Sequence, residues 1–211
     1  MARVIVRAVA LPGTPLLVPG VAGSAVVLAD TRAHVLGALQ DLAAHVDRVV
    51  VVVVAARGTA GRHGVLRPAL EAVGVEPRWW GWAPAPGTQG LPAAGLAGSV
   101  GLLALAAAGW DGPVEVVELE AGRPAGEAGR LVRALAQEPG AGLVVVTSTS
   151  PDAAARAGGP AADSHGVARE VEREVLGALG DAFEEVVERS VGEYEHRTYE
   201  VVRFVGAPAG R

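Results

Sequence analysis

Val49–Val54 is an unbroken run of six valines. β-Branched residues suit a pleated strand and crowd a helix. Six in a row leave no polar face for water. A strand that is apolar on both sides belongs inside a parallel sheet with helices above and below. The rest of the 211-residue chain supplies the partners this strand needs. Val4–Leu11, Val114–Leu119, Leu143–Thr147 and Tyr199–Val205 read as further strands. Val26–Val46 carries Val35, Leu36, Leu39, Leu42 and Val46 at helical spacing. Leu96–Ala108 reads as a buried helix, and Ala125–Gln137 as a helix with Glu127 near its positive end. A later helix, capped by Asp163 or Ser164, runs to Leu179. Val65–Val73 reads as a short helix and Asp181–Glu188 as a helical continuation. The connections are Pro12–Gly20, Arg57–Gly64, Trp79–Gly90 and Pro151–Ala162. This alternation predicts a single α/β domain over residues 1–211, with a mainly parallel central sheet and helices on both faces.

Composition narrows the function. Half the residues are hydrophobic and 19% are charged, enough for a sizeable core and too apolar for disorder. The net charge of -5 offers no basic field for phosphates, so no nucleic-acid partner is expected. The chain has no Cys, Lys or Asn. Disulfides, thiolate metal sites, cysteine nucleophiles, lysine Schiff bases and a Walker-type lysine are all excluded. Two uncharged stretches test for membrane or export segments. Ala8–Ala29 is interrupted by Pro12, Pro15 and Pro19, which a signal helix tolerates poorly. Leu91–Trp110 is mostly Ala and Gly and lacks flanking Arg anchors, so it reads as a buried helix. A cytoplasmic protein with no membrane partner is expected.

Several groups are candidates for chemistry. The loop Gly58-Thr59-Ala60-Gly61-Arg62-His63-Gly64 follows the valine strand. Closely spaced glycines let backbone N–H groups approach an anion, and Arg62 supplies a charge to pair with it. His63, and His165 at the start of a late helix, fall near strand C-termini in this reading, where an imidazole serves as base or ligand. Glu118 and Glu120 end a strand two residues apart and share a face. Paired carboxylates hold a cation or do acid–base work, but a solvated strand end looks the same. His34, His45 and His196 read as surface residues, and Arg169, Glu170, Glu172, Arg173 and Glu174 as a wet helix face. Trp79, Trp80 and Trp82 cluster in one connection and cover a pocket, an interface or core.

The run from Ala8 to Ala22, containing Leu11-Pro12-Gly13-Thr14-Pro15-Leu16-Leu17-Val18-Pro19, resembles the opening of the class III extradiol dioxygenase subunit-B-like group, related to the Memo-like fold. That group's first strand ends in a Cys-Pro-His-Pro-Pro-Leu-Leu-Val-Pro pattern. Gly90-Leu91-Pro92, a helix ending Ala108-Gly109-Trp110-Asp111-Gly112-Pro113, and a following strand fit as well. Thr147-Ser148-Thr149-Ser150 falls where active relatives carry a Ser-Asp-x-Ser-His-type motif. The resemblance implies this fold and a crevice at the strand ends. Active relatives hold a non-haem metal through a first-loop His, a second-strand-loop His and a carboxylate or thiol. Here Gly13 stands in the place of the first His; Gly58 or Thr59 stands near the second, with His63 a few residues later. A facial triad needs two imidazoles and a carboxylate, so neither a metal nor another cofactor is expected. The implied substrate contacts are Gly13, Thr14, Thr59, Arg62, Ser148 and Ser150, with His63, His165 and Glu120 as catalytic candidates. The first reading is a metal-free descendant that binds a small molecule or does metal-independent chemistry in specialised metabolism. The second is a non-catalytic subunit of a homo- or hetero-oligomer. The third is a metal-dependent oxidoreductase using His63, His165 and a glutamate.

Overall fold

The computed structural model describes residues 5–55, 61–124, 126–147, 161–183, 185–194 and 197–206. Its strands are β1 (Ile5–Pro12), β2 (Arg48–Ala55), β3 (His63–Gly64), β4 (Val114–Glu120), β5 (Ala141–Thr147), β6 (Glu185–Tyr194) and β7 (Arg197–Gly206). The helices are α1 (Ala29–Ala43), α2 (Leu96–Ala107), α3 (Glu127–Ala136) and α4 (Ala161–Ala182). The seven strands form one sheet in the order β3-β4-β2-β5-β1-β7-β6. Its core, β4-β2-β5-β1, is parallel. β3, β7 and β6 join antiparallel at the edges, so the α/β sheet is mixed with a parallel centre.

The valine run sits in β2, next to the middle strand of the sheet and between β4 and β5, as its composition requires. Val49, Val51 and Val53 pack into the core layer under α1 and α2. Val50 and Val52 pack into the layer under α3 and α4, with Val132, Val175 and Leu179. This is the period-two alternation of a strand buried on both sides. Helix α2 lies unusually close to the sheet. A Cβ on its Gly101 would come within 2.8 Å of a Val146 methyl and 3.1 Å of a Val51 methyl. Small residues therefore let an apolar helix seat on a valine surface. At twelve residues this helix is too short to span a bilayer. Among the described residues no helix is long and apolar enough to cross a membrane.

Four sequence expectations are corrected. Asp181–Glu188 is not a helical continuation: α4 stops at Ala182 and Glu185 opens β6. Val65–Val73 is not a helix beyond a single 3-10 turn at Glu71–Val73. Its backbone pairs instead with the approach to α2, Arg67 N–H to Pro92 O at 2.9 Å and Ala94 N–H to Arg67 O at 2.8 Å. Arg57–Gly64 is not wholly loop, because His63 and Gly64 form the edge strand β3. α4 begins at Ala161, so Asp163 and Ser164 lie inside it and not at its cap.

Arg32 in the first turn of α1 fixes the loop after β1. Its guanidinium donates to Leu17 O at 2.7 Å, Val27 O at 3.0 Å and Leu16 O at 3.4 Å. Burial pushes its pKa below the ordinary guanidinium value. Arg32→Ala leaves these carbonyls without their donor. The expected loss is about 2–3 kcal/mol, read as a lower urea midpoint at unchanged slope.

Candidate functional site

The C-terminal ends of the parallel strands are where α/β sheets build sites. Gly13 follows β1 at this end, beside the end of β5. Its N–H donates to Thr147 O at 2.8 Å, and the Thr147 hydroxyl donates to Leu11 O at 3.2 Å. These bonds draw the two strand ends together. A Cβ on Gly13 would sit 2.9 Å from Ala97 Cβ, 2.9 Å from Thr147 O and 3.0 Å from a Val146 methyl. The first turn of α2 therefore covers Gly13 at a distance only glycine permits. Thr14 is buried, and its hydroxyl accepts from Leu16 N–H at 3.3 Å to open a short 3-10 turn. Both residues are engaged in closing the loop.

Glu118 is the most constrained ionisable group at this end. Its side chain is 2% exposed. The carboxylate accepts the N–H of Gly95, the residue that precedes α2, in a short hydrogen bond. Gly95 has no side chain to cap the helix, so the carboxylate from β4 supplies the missing acceptor and meets the positive helix end. Arg62 Nε lies 3.8 Å from the same carboxylate, and the Arg62 guanidinium also donates to Ala93 O. The Arg62 charge is committed to these groups. Glu120, two residues on, is exposed.

His63 is separated from Glu118. It pairs with Val117 across the β3–β4 edge, and its Nε2 lies 2.8 Å from Glu115 Oε1. Glu115 alternates with Val117, which packs under α3 and α4, whereas Glu118 alternates with Val116 under α2. Imidazole and buried carboxylate thus belong to opposite faces of the sheet. His63 is also nearer the middle of β4 than its end, away from the expected strand terminus. His165 lies within α4. Thr59, Ser148, Ser150 and His196 lie outside the described residues. Among the described residues no group of three His, Asp or Glu side chains is arranged to hold a metal ion.

Glu174, expected on a wet helix face, instead accepts the Gly129 N–H at 2.6 Å, in the first turn of α3. The preceding Gly126 provides no side-chain cap there, so this is a second carboxylate lent to a helix start from a neighbouring element. His34 and His45 each bond the carbonyl four residues back on α1 at 2.8 Å. The tryptophan cluster divides: Trp82 is buried, Trp80 donates to Val75 O at 3.3 Å, and Trp79 is exposed beneath the Arg78 guanidinium at 5.3 Å.

The described residues line an open cavity at the opposite end of the sheet. Its volume is about 460 Å³. The floor is the start of β2 and β4, with Val49 and Val114; Leu102 and Leu105 of α2 form a wall; Leu66 and Leu91 close it from the long connection between β3 and α2. Trp110 and Asp111, just after α2, complete the lining. The Trp110 N–H is buried and has no hydrogen-bond partner among the described residues. None of Gly13, Thr14, Arg62, His63 or Glu120 lines this space. Sequence reasoning missed it because its walls come from four separate segments. The local clue was an aromatic between an apolar helix and the Gly112-Pro113 turn.

Three substitutions probe the strand ends. Gly13→His forces a side chain against α2 and should cost about 2–3 kcal/mol, seen as a lower melting temperature. Glu118→Gln weakens the charged cap and strands Arg62, for a loss of about 2–4 kcal/mol, while Glu120→Gln leaves the denaturation midpoint within about 0.5 kcal/mol. No family model matches this chain, and no curated protein matches it in sequence.

Proposed function

We propose that this chain is a divergent descendant of the extradiol-dioxygenase-B-like scaffold that binds a small, largely apolar molecule without a metal, in the cytoplasm. The observation that carries the reading is the cavity of about 460 Å³ between α2 and the start of the sheet, a volume suited to a small ligand. Its lining is dominated by Val, Leu, Ala, Pro and Trp side chains, so burial of apolar surface drives binding.

Two features support the departure from ring-cleaving chemistry. The position that resembles the first metal-binding His is a glycine packed under Ala97. The nearest buried carboxylate, Glu118, is spent on the α2 N-terminus and Arg62. A cytoplasmic home fits the placement of residues 8–10, which are paired between β5 and β7 and belong to the fold. Specialised metabolism, with its varied small apolar compounds, is the proposed setting.

A second reading is a supporting subunit in a homo- or hetero-oligomer. Trp79 is 59% exposed and Val73, in the adjacent short turn, 45% exposed, which is apolar surface that a partner chain would cover.

The cavity reading is tested by filling the space. Ala106 of α2 lines it and is half-buried. In a thermal-shift screen of small apolar compounds, wild-type protein should be stabilised by a subset. Ala106→Phe should bind those compounds at least tenfold more weakly, a change of about 1.4 kcal/mol. Equal affinity in the two proteins would refute the cavity as the site.

A further inference from the structure

On the footing of that cavity reading, we propose that the ligand is a hydrophobic amine, bound as its ammonium form, with its charged end at Trp110 and Asp111. Three charged residues line the cavity: Arg48, Asp111 and Glu115. Arg48 is taken up by Glu138 and lies 4.0 Å from Glu115. Glu115 is taken up in turn by His63 at 2.8 Å. These two charges already satisfy each other and their neighbours. Asp111 is different: among the described residues it has no ion pair or hydrogen-bond partner. The single uncommitted charge of the lining is therefore a carboxylate.

Its neighbour in sequence sharpens the assignment. Trp110 lines the same cavity, and its indole N–H is buried. An indole ring carries negative potential on its face and attracts a cation there. A carboxylate and an indole ring from adjacent residues in the lining of a mostly apolar space both favour a cation. Neither favours a carboxylate or phosphate, which the unpaired Asp111 would repel. Thr88, another polar residue of the lining, already donates its hydroxyl to Ala85 O at 2.9 Å. The rest of the lining is mostly apolar and suits an uncharged body. The ligand class that meets both demands is an alkyl or aryl chain ending in a primary or substituted amine.

The test uses three compounds of nearly one shape: phenylbutylamine, phenylbutanol and phenylbutyrate. Each is titrated calorimetrically into the full chain at neutral pH, where the amine is protonated. The amine should bind roughly tenfold more tightly than the alcohol, the combined effect of an exposed ion pair and a ring–cation contact. The carboxylate should bind most weakly. Added salt should narrow the gap between amine and alcohol, since Asp111 is exposed. Asp111→Asn should collapse the ratio of amine to alcohol affinity toward one. Asp111 is on the surface after α2, so this variant tests charge without disturbing the core. If the alcohol binds as tightly as the amine, or the ratio survives Asp111→Asn, the amine assignment is overturned while the cavity stands. If none of the three binds and Ala106→Phe changes nothing, both the assignment and the cavity reading fall.

Discussion

Covering β2 on both faces is the demand that organises this molecule. Val49–Val53 are all buried, and each covered valine contributes on the order of 2 kcal/mol through removal from water. That gain exists only while α1 and α2 shield one side and α3 and α4 the other. The backbone of β2 also needs partners along both edges, and β4 and β5 provide them in parallel register. Parallel neighbours require crossover helices, so one apolar segment accounts for sheet, layers and connections together.

A small-residue chain meets this demand in a particular way. Glycine and alanine let α2 approach the valine surface closely, but glycine before a helix leaves its first N–H groups uncapped. Glu118 and Glu174 answer that deficit from other elements, one at α2 and one at α3. Acidic residues that look like site candidates or solvated charges in the sequence are thereby absorbed into helix starts. Among the described residues at the strand ends these carboxylates are structural, and open space lies at the other end, beside Leu102, Leu105 and Trp110.

What the sequence made legible follows from period and composition. Strands β1, β2, β4, β5 and β7 and the helix on Leu96–Ala107 were readable because local pattern decides them, whereas the order of the strands in the sheet was not, because long-range pairing sets it. The β6–β7 hairpin was only half readable. Val186, Val187 and Val191 are β-branched, but the surrounding glutamates mimic a polar helix, and pairing with β7 settles the matter. Residues 65–73 have apolar spacing that suits a helix, yet Pro68 and the bonds from Arg67 to residues 92–94 keep their first half out of one, leaving only the 3-10 turn at Glu71–Val73. The resemblance at Pro12–Pro19 pointed to the strand ends, and Gly13 does lie there beside Thr147. It could not reveal that Ala97 fills the space above it, because that contact spans most of a hundred residues of chain. The cavity was invisible for the same reason.

The margins of the sheet have a consequence for life in a crowded solution. An open strand with free backbone groups invites another chain to add itself, and repeated addition ends in aggregates. One border here is β3, only two residues long, too brief a template for docking. The other is β6, whose sequence carries Glu185, Glu188, Arg189 and Glu193 along its length. The valine-rich strands that would polymerise most readily are kept inside these two unattractive borders. So apolar a protein is thereby protected against growing into fibres edge by edge.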